Sequence, residues 1–173
     1  FFLAGVLVSD IETIPDAAGI RRLENIPDSV SDEEVVSQAL ALRKEKTGSE
    51  FMPLHLHKVV AISCVIRRTT KDGAPQFKVG SLGDAGSSEK EIIQAFFDLI
   101  EKYTPQLVSW NGSGFDLPVL HYRALLNGVV SSRYWEMGES GDSDSRDFKW
   151  NNYISRYHMR HIDLMDLLAK FSG

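Results

Sequence analysis

The sequence predicts an α/β domain, a mixed sheet flanked by helices, and three observations carry that expectation. The chain opens on an apolar run, Leu3 to Val8, which reads as a strand covered on both faces. Two strand-like runs, Val59–Ile66 and Gln76–Gly80, then flank a Lys71-Asp72-Gly73 turn, so the sheet starts antiparallel. After Ser88 the apolar period becomes helical, and helix and strand alternate to the end. With 173 residues, 43% apolar and 25% charged, the chain reads as a single domain over 1–173. A domain of that size buries about 70% of its unfolded surface and needs no metal or disulfide staple.

Each element has its own signal. The first strand runs out at Ser9-Asp10 without a basic leader, so it is not a signal peptide. A polar stretch follows to Pro27-Asp28, and Ser31-Asp32-Glu33-Glu34 opens a helix to about Gly48. Its apolar positions, Val35, Val36, Leu40 and Leu42, are too few for a deep core helix. The 12–57 region is therefore expected as an insertion over the sheet. Val59–Ile66 and Gln76–Gly80 form the hairpin. Ser88 and Glu91 cap a helix with the stripe Ile92, Ile93, Phe96, Phe97, Ile100 and Tyr103, and Thr104-Pro105 stops it. Gln106–Trp110 is a buried strand, and Phe115–Leu126 a helix ending at Asn127-Gly128. Gly138–Asp147 is a polar, mobile loop. Arg160–Leu164 reads as a strand feeding a last helix with Leu164, Leu167, Leu168 and Phe171 inward.

Charge and cysteine usage narrow the functional classes. A net charge of −5 argues against broad wrapping of duplex nucleic acid, which needs a basic face. It leaves room for an enzyme that grips a few nucleotides around metal ions, because such a site is itself acidic. The single cysteine, Cys64, excludes an internal disulfide and a cysteine zinc site, and fits a reducing, cytoplasmic setting. No apolar run approaches a membrane span, and no phosphate-loop or dinucleotide fingerprint is present.

Two constellations carry chemistry. Asp10 and Glu12 stand two apart where the first strand ends, so they project from one face. Paired carboxylates repel, and a divalent cation neutralises them. Acidic-x-acidic also recurs at Asp32/Glu34, Glu89/Glu91 and Asp142/Asp144, where caps and solvation account for it. Taken alone, the pair leaves metal binding and coincidence both open. The second constellation is Trp110-Asn111-Gly112-Ser113-Gly114-Phe115-Asp116, in which a strand ends, two glycines permit a tight turn and Asp116 opens a helix. If its strand neighbours the first, Asp116 faces Asp10 and Glu12. Helix-dipole stabilisation is the alternative for Asp116, and turn formation the alternative for Asn111.

Asp10-Ile11-Glu12-Thr13 resembles the first exonuclease motif, and Asn111-x-x-x-Phe115-Asp116 the second, of the DEDD (DnaQ-like) 3′–5′ exonucleases. The stretch Val108–Leu120 and His161–Leu168 are most similar to the stand-alone relatives of the family B DNA polymerase proofreading domain. The resemblance implies a ribonuclease H-like mixed sheet and hydrolysis of the terminal phosphodiester at the 3′ end of single-stranded nucleic acid, DNA rather than RNA. It further implies two divalent cations, Mg²⁺ or Mn²⁺, on Asp10, Glu12 and Asp116 as metal-binding and catalytic residues. Asn111 and Phe115 become contacts to the terminal nucleotide, with core packing the alternative for Phe115.

The family's fourth carboxylate is the gap. No tyrosine is followed four residues later by aspartate. His158 and Asp163 have the spacing of the histidine form, but Asp163 also reads as the N-cap of the last helix. The third motif is therefore expected beyond Gly173. Of the remaining candidates, His55 and His57 read as a solvated loop, Cys64 as packing, Arg67-Arg68 as a polar strand end and Arg123 as a phosphate contact. The missing acid keeps open a catalytically inactive nucleic-acid-binding module on the same fold. A protein-interaction domain built on the insertion is a third possibility.

Overall fold

A computed structural model describes residues 5–139, 141 and 145–170. Among these, five strands form one sheet in the order β3-β2-β1-β4-β5. Strand β1 (Val6–Pro15) lies at the centre, antiparallel to β2 (His57–Thr69), which pairs with β3 (Pro75–Leu82). On its other side β1 runs parallel to β4 (Gln106–Ser109), and β4 parallel to β5 (His161–Asp163). An antiparallel hairpin followed by parallel crossovers is the ribonuclease H-like arrangement expected from the sequence. The opening strand's Leu3 and Ala4, the loop residues 140 and 142–144, and Phe171 lie outside the described residues.

Helices α3 (Glu89–Tyr103) and α4 (Asp116–Asn127) supply the main core. Ser88 and Glu91 complete a reciprocal capping box, and Thr104 closes α3 in the left-handed region. Ile92, Ile93, Phe96, Phe97 and Ile100 are buried against Leu7, Ile11, Ile62 and Leu107 of the sheet. Each such side chain contributes roughly 1.5–3 kcal/mol. Tyr103, placed on the same stripe by sequence, is exposed, its ring set against the Arg68 guanidinium of β2 rather than buried in the core. The opposite sheet face carries Val79, Val65, Val8, Val108 and Ile162 in one cross-strand row, with Val8 and Val79 exposed.

The segment after β1 holds a helix that the sequence reading did not find. Asp16 caps α1 (Ala17–Glu24) by accepting from the Gly19 amide, and α1 packs on α2 (Asp32–Thr47). Ile20, Val35, Met52 and Leu56 form a satellite core between them. One apolar position per turn was too thin a signal. Between α4 and β5 the chain is irregular but anchored: Tyr134, Phe148 and Tyr153 are buried, and the Tyr153 hydroxyl donates to the Pro105 carbonyl. Ser145 is buried and Arg146–Lys149 form a 3-10 turn, so residues 145–147 are ordered where the sequence predicts a mobile loop.

Helix α5 (Leu164–Leu168) departs from expectation as well. Leu164, Leu167 and Leu168 are exposed, and the buried residue is Asp166, gripped by both Arg156 nitrogens. The ion pair, not the leucine spacing, orients this short helix. Among the described residues, no helix is long and apolar enough to cross a membrane.

Candidate active site

Strand β1 presents Asp10 and Glu12 to solvent, while Ile11 between them points into the core. Asp10 pairs with Ser63 and Glu12 with Ala61, and the register shifts at Glu12/Thr13. Such a bulge bends the strand just where the acidic pair leaves it. Asp116 comes from the first turn of α4 and is buried. Its Oδ1 accepts from the Ile11 backbone amide at 3.2 Å, which sets the third acid against the residue that separates the other two. The parallel pairing of β1 with β4 produces this meeting: β4 ends one residue past its Val8–Val108 pair while β1 runs on to Pro15, so the turn after β4 delivers Asp116 beside Ile11.

Burial pushes the Asp116 carboxyl above its ordinary range, and the charges of Asp10 and Asp163 push it further against the pull of the Ile11 amide. Oxygen donors under mutual repulsion suit a hard divalent cation, and in that chemical sense the donor set fits one. Among the described residues, no group of three or more His, Cys, Asp or Glu is gathered closely enough to hold a metal.

The turn between β4 and α4 is built around Asp163. Its two oxygens accept from the Asn111 and Ser113 amides at 2.9 Å each, and Oδ1 also takes the Met165 amide. Burial alone would raise this carboxyl, but the amides hold it below the usual range. Asp163 is thus the helix cap that sequence allowed, and it also fixes the turn carrying Asn111. His158 is occupied elsewhere, its Nδ1 accepting from the Asn152 amide. Asn111 itself is left-handed, with φ of 56°. Gly112 has no alternative, because a Cβ there would lie 2.0 Å from the Ser109 hydroxyl, which is bonded to His161 Nε2 at 2.7 Å.

Phe115 is half-buried and packs on the core, yet it also faces a ring cluster. His57 stands edge-on to it at 5.0 Å and Phe51 tilts against it at 5.8 Å. His57 is therefore not in a solvated loop. Its Nε2 donates to the Met52 carbonyl, which leaves Nδ1 to accept from the Thr13 hydroxyl. His55 is exposed; its carbonyl accepts from Arg123 and its ring stands edge-on to Tyr122 at 5.9 Å.

Arg123 corrects another expectation. It is 5% exposed, reaches no solvent-facing phosphate position, and binds Asp16 Oδ2 and Glu89 Oε2 at 2.6 Å each. Glu89 also accepts from the Val59 amide, so one arginine ties α3, α4 and the end of β1 together. Sequence reasoning missed Asp16 and Glu89; the Pro15-Asp16 cap signal was legible, but the partner across 107 residues was not. Trp110, read as part of a buried strand, is exposed beyond the end of β4. Cys64 is buried and its thiol is pushed up to about 11 by burial, as an inert packing residue should be.

A family model described as a predicted 3′–5′ exonuclease related to the exonuclease domain of PolB matches residues 49–173. The chain belongs to this family. The DNA polymerase 1 of Sulfurisphaera ohwakuensis is 50% identical over 38 residues, a match covering 22% of this chain and 4% of that polymerase. The shared segment is thus a small part of the polymerase's length. Membership in the PolB-related exonuclease family makes this a nuclease-type domain with a nucleic-acid substrate, and domains of this type generally use divalent metals.

Proposed function

We propose that this chain removes nucleotides from the 3′ end of single-stranded DNA, with Asp10, Glu12 and Asp116 holding two divalent cations, Mg²⁺ or Mn²⁺. The observation that carries the reading is the Asp116 hydrogen bond to the Ile11 amide, which joins a buried helix acid to the strand acids. Bound there, the cations would generate the attacking hydroxide and stabilise the leaving oxygen of an in-line displacement. The chain's own residues divide the remaining work. Asp116, buried and pinned, is the fixed ligand. Asp10 and Glu12, exposed within β1 rather than at its expected end, are open to a phosphate arriving from solvent. Asn111, in a turn stiffened by Asp163, and Phe115, backed by His57 and Phe51, contact the terminal nucleotide.

Asp163 serves the turn rather than the metals in this reading, its oxygens accepting from the Asn111, Ser113 and Met165 amides. A second reading, a nucleic-acid-binding module without turnover, draws on the lack of a three-ligand cluster among the described residues. One experiment separates them. The protein at its full natural length is incubated with 5′-labelled single-stranded DNA and Mn²⁺, and products are resolved by length. Stepwise shortening that disappears in Asp10→Ala is expected. Binding without shortening would favour the second reading, and equal shortening in Asp10→Ala would remove the first.

A further inference from the structure

At the opposite end of the sheet, where β1 begins, the molecule carries a feature that the exonuclease reading does not use. A cavity of about 690 Å³ opens between the start of β1, the β2–β3 hairpin and the end of α3, and Arg68, Lys71, Lys102 and Arg160 line it. A second recess of about 400 Å³ shares Arg68 and Tyr103 with the first and adds Lys78 and Phe77. No aspartate or glutamate lines either recess. That is unexpected in a chain with 24 acidic and 19 basic residues, where chance would scatter acids among the bases.

The cations there are also unneutralised. Among the described residues, Arg21, Lys44, Arg123 and Arg156 each hold a carboxylate within hydrogen-bonding reach, whereas Arg68, Lys71, Lys78 and Lys102 do not; Arg160, at the rim, is engaged by the Asn151 carbonyl and the Phe148 ring. Asp72, in the hairpin turn, is engaged by the Thr70 hydroxyl. The Arg68 guanidinium lies 4.2 Å from the Tyr103 ring centroid. Arg68 and then Lys102, by hydrogen bonding, hold the Tyr103 hydroxyl below its ordinary range, a local sign of the excess positive charge. Tyr103 and Phe77 are exposed among the cations, and the floor is apolar, formed by Leu7, Ile66 and Leu99.

We infer that this trough is a track for the backbone of single-stranded nucleic acid, remote from the carboxylates. Cations interleaved with exposed aromatic rings match what such strands need: phosphate neutralisation, and flat faces on which any base can stack. Leu7, on the trough floor, faces the α3 side of the sheet, while Asp10 and Glu12 face the other side, so the track is a site separate from the carboxylates. The placement of the 3′ end at the acids rests on the proposed function, but binding in the trough does not.

The test measures binding with cleavage switched off. Fluorescein-labelled dT16 and dT4 are titrated with the intact protein in EDTA at several salt concentrations, and anisotropy is read. The wild type should bind dT16 at least about tenfold more tightly than dT4. The double variant Lys71→Ala/Lys102→Ala should weaken dT16 binding several-fold and reduce the log–log salt slope by about 1.4, the sum for two single-strand phosphate contacts. Lys90→Ala, an exposed lysine at the other end of the helix bearing Lys102, should change neither quantity. Polyglutamate of equal charge should compete poorly. An unchanged slope in the double variant, an equal loss in Lys90→Ala, or equal displacement by polyglutamate would each overturn the inference. Strong dT16 binding by a protein that never shortens DNA would retain the track and remove the exonuclease reading. Shortening with no effect of the double variant on binding would do the reverse.

Discussion

Where β1 runs out, charge is tied down: Asp16 and Glu89 clamp Arg123, Asp163 gathers two turn amides, and Asp116 is held by the Ile11 amide. Where β1 begins, Arg68, Lys71 and Lys102 stand on the surface with no carboxylate partner among the described residues. The contrast fits the two tasks proposed for the two ends of the sheet. A site that must hold repelling carboxylates in fixed positions needs a braced scaffold, whereas a surface that attracts a flexible polyanion needs charge alone. Substitutions that cost stability should therefore cluster at the first end and be nearly silent at the second.

The largest effect is expected at Arg123. Arg123→Ala leaves two buried carboxylates unpaired and should lower stability by about 3–5 kcal/mol in urea denaturation. Lys71→Ala and Lys102→Ala, both exposed, should stay within about 0.5 kcal/mol of the wild type in the same measurement. Similar losses at both ends would break the comparison.

Gly112→Ala comes next. Its Cβ would strike the Ser109 hydroxyl and Cβ, at 2.0 and 2.6 Å, and the turn has no slack because Asp163 holds both its flanks. A destabilisation of about 1–3 kcal/mol follows. Nuclease activity, measured at a temperature where the variant remains folded, should fall as well, since the turn carries Asn111 to the acids.

The smallest effect is a pH dependence. Burial alone would raise the Asp16 carboxyl, but the Arg123 guanidinium and the Gly19 amide hold it below the usual range. A depressed folded pKa gives stability that is present above the unfolded value near 3.8 and is lost as the pH falls through the folded one. Thermal unfolding followed from pH 6 downward should show this loss below about pH 4 in the wild type. The loss should be shallower in Asp16→Asn, which has no carboxylate left to protonate.

Much of the fold was legible because its signals are local. The Ser88/Glu91 box, the α3 stripe, the Lys71-Asp72-Gly73 turn and the Asn127-Gly128 stop each lie within a few residues, and each element appears where they place it. The meeting of Asp116 with β1 was legible at one remove, through the expectation that the first strand and the one before Asp116 are neighbours. What was not legible is long-range pairing. Arg123 on a helix face looked available for phosphate, and only its partners on two other elements reveal it as a brace. Likewise Leu164, Leu167 and Leu168 have core spacing, but the Arg156–Asp166 pair turns α5 so that the acid is buried and the leucines are not. Periodicity tells which face is apolar; it does not tell whether an ion pair will claim the other one.

The proposed chemistry requires Asp10 of β1 and Asp116 of α4 to act together in holding the cations. Manganese titration of the protein at its full natural length, followed by electron paramagnetic resonance, tests this without requiring turnover. Bound Mn²⁺ should fall at least about tenfold in affinity in both Asp10→Asn and Asp116→Asn, and Lys102→Ala should leave it unchanged. Equal Mn²⁺ affinity in the wild type and both aspartate variants would contradict it.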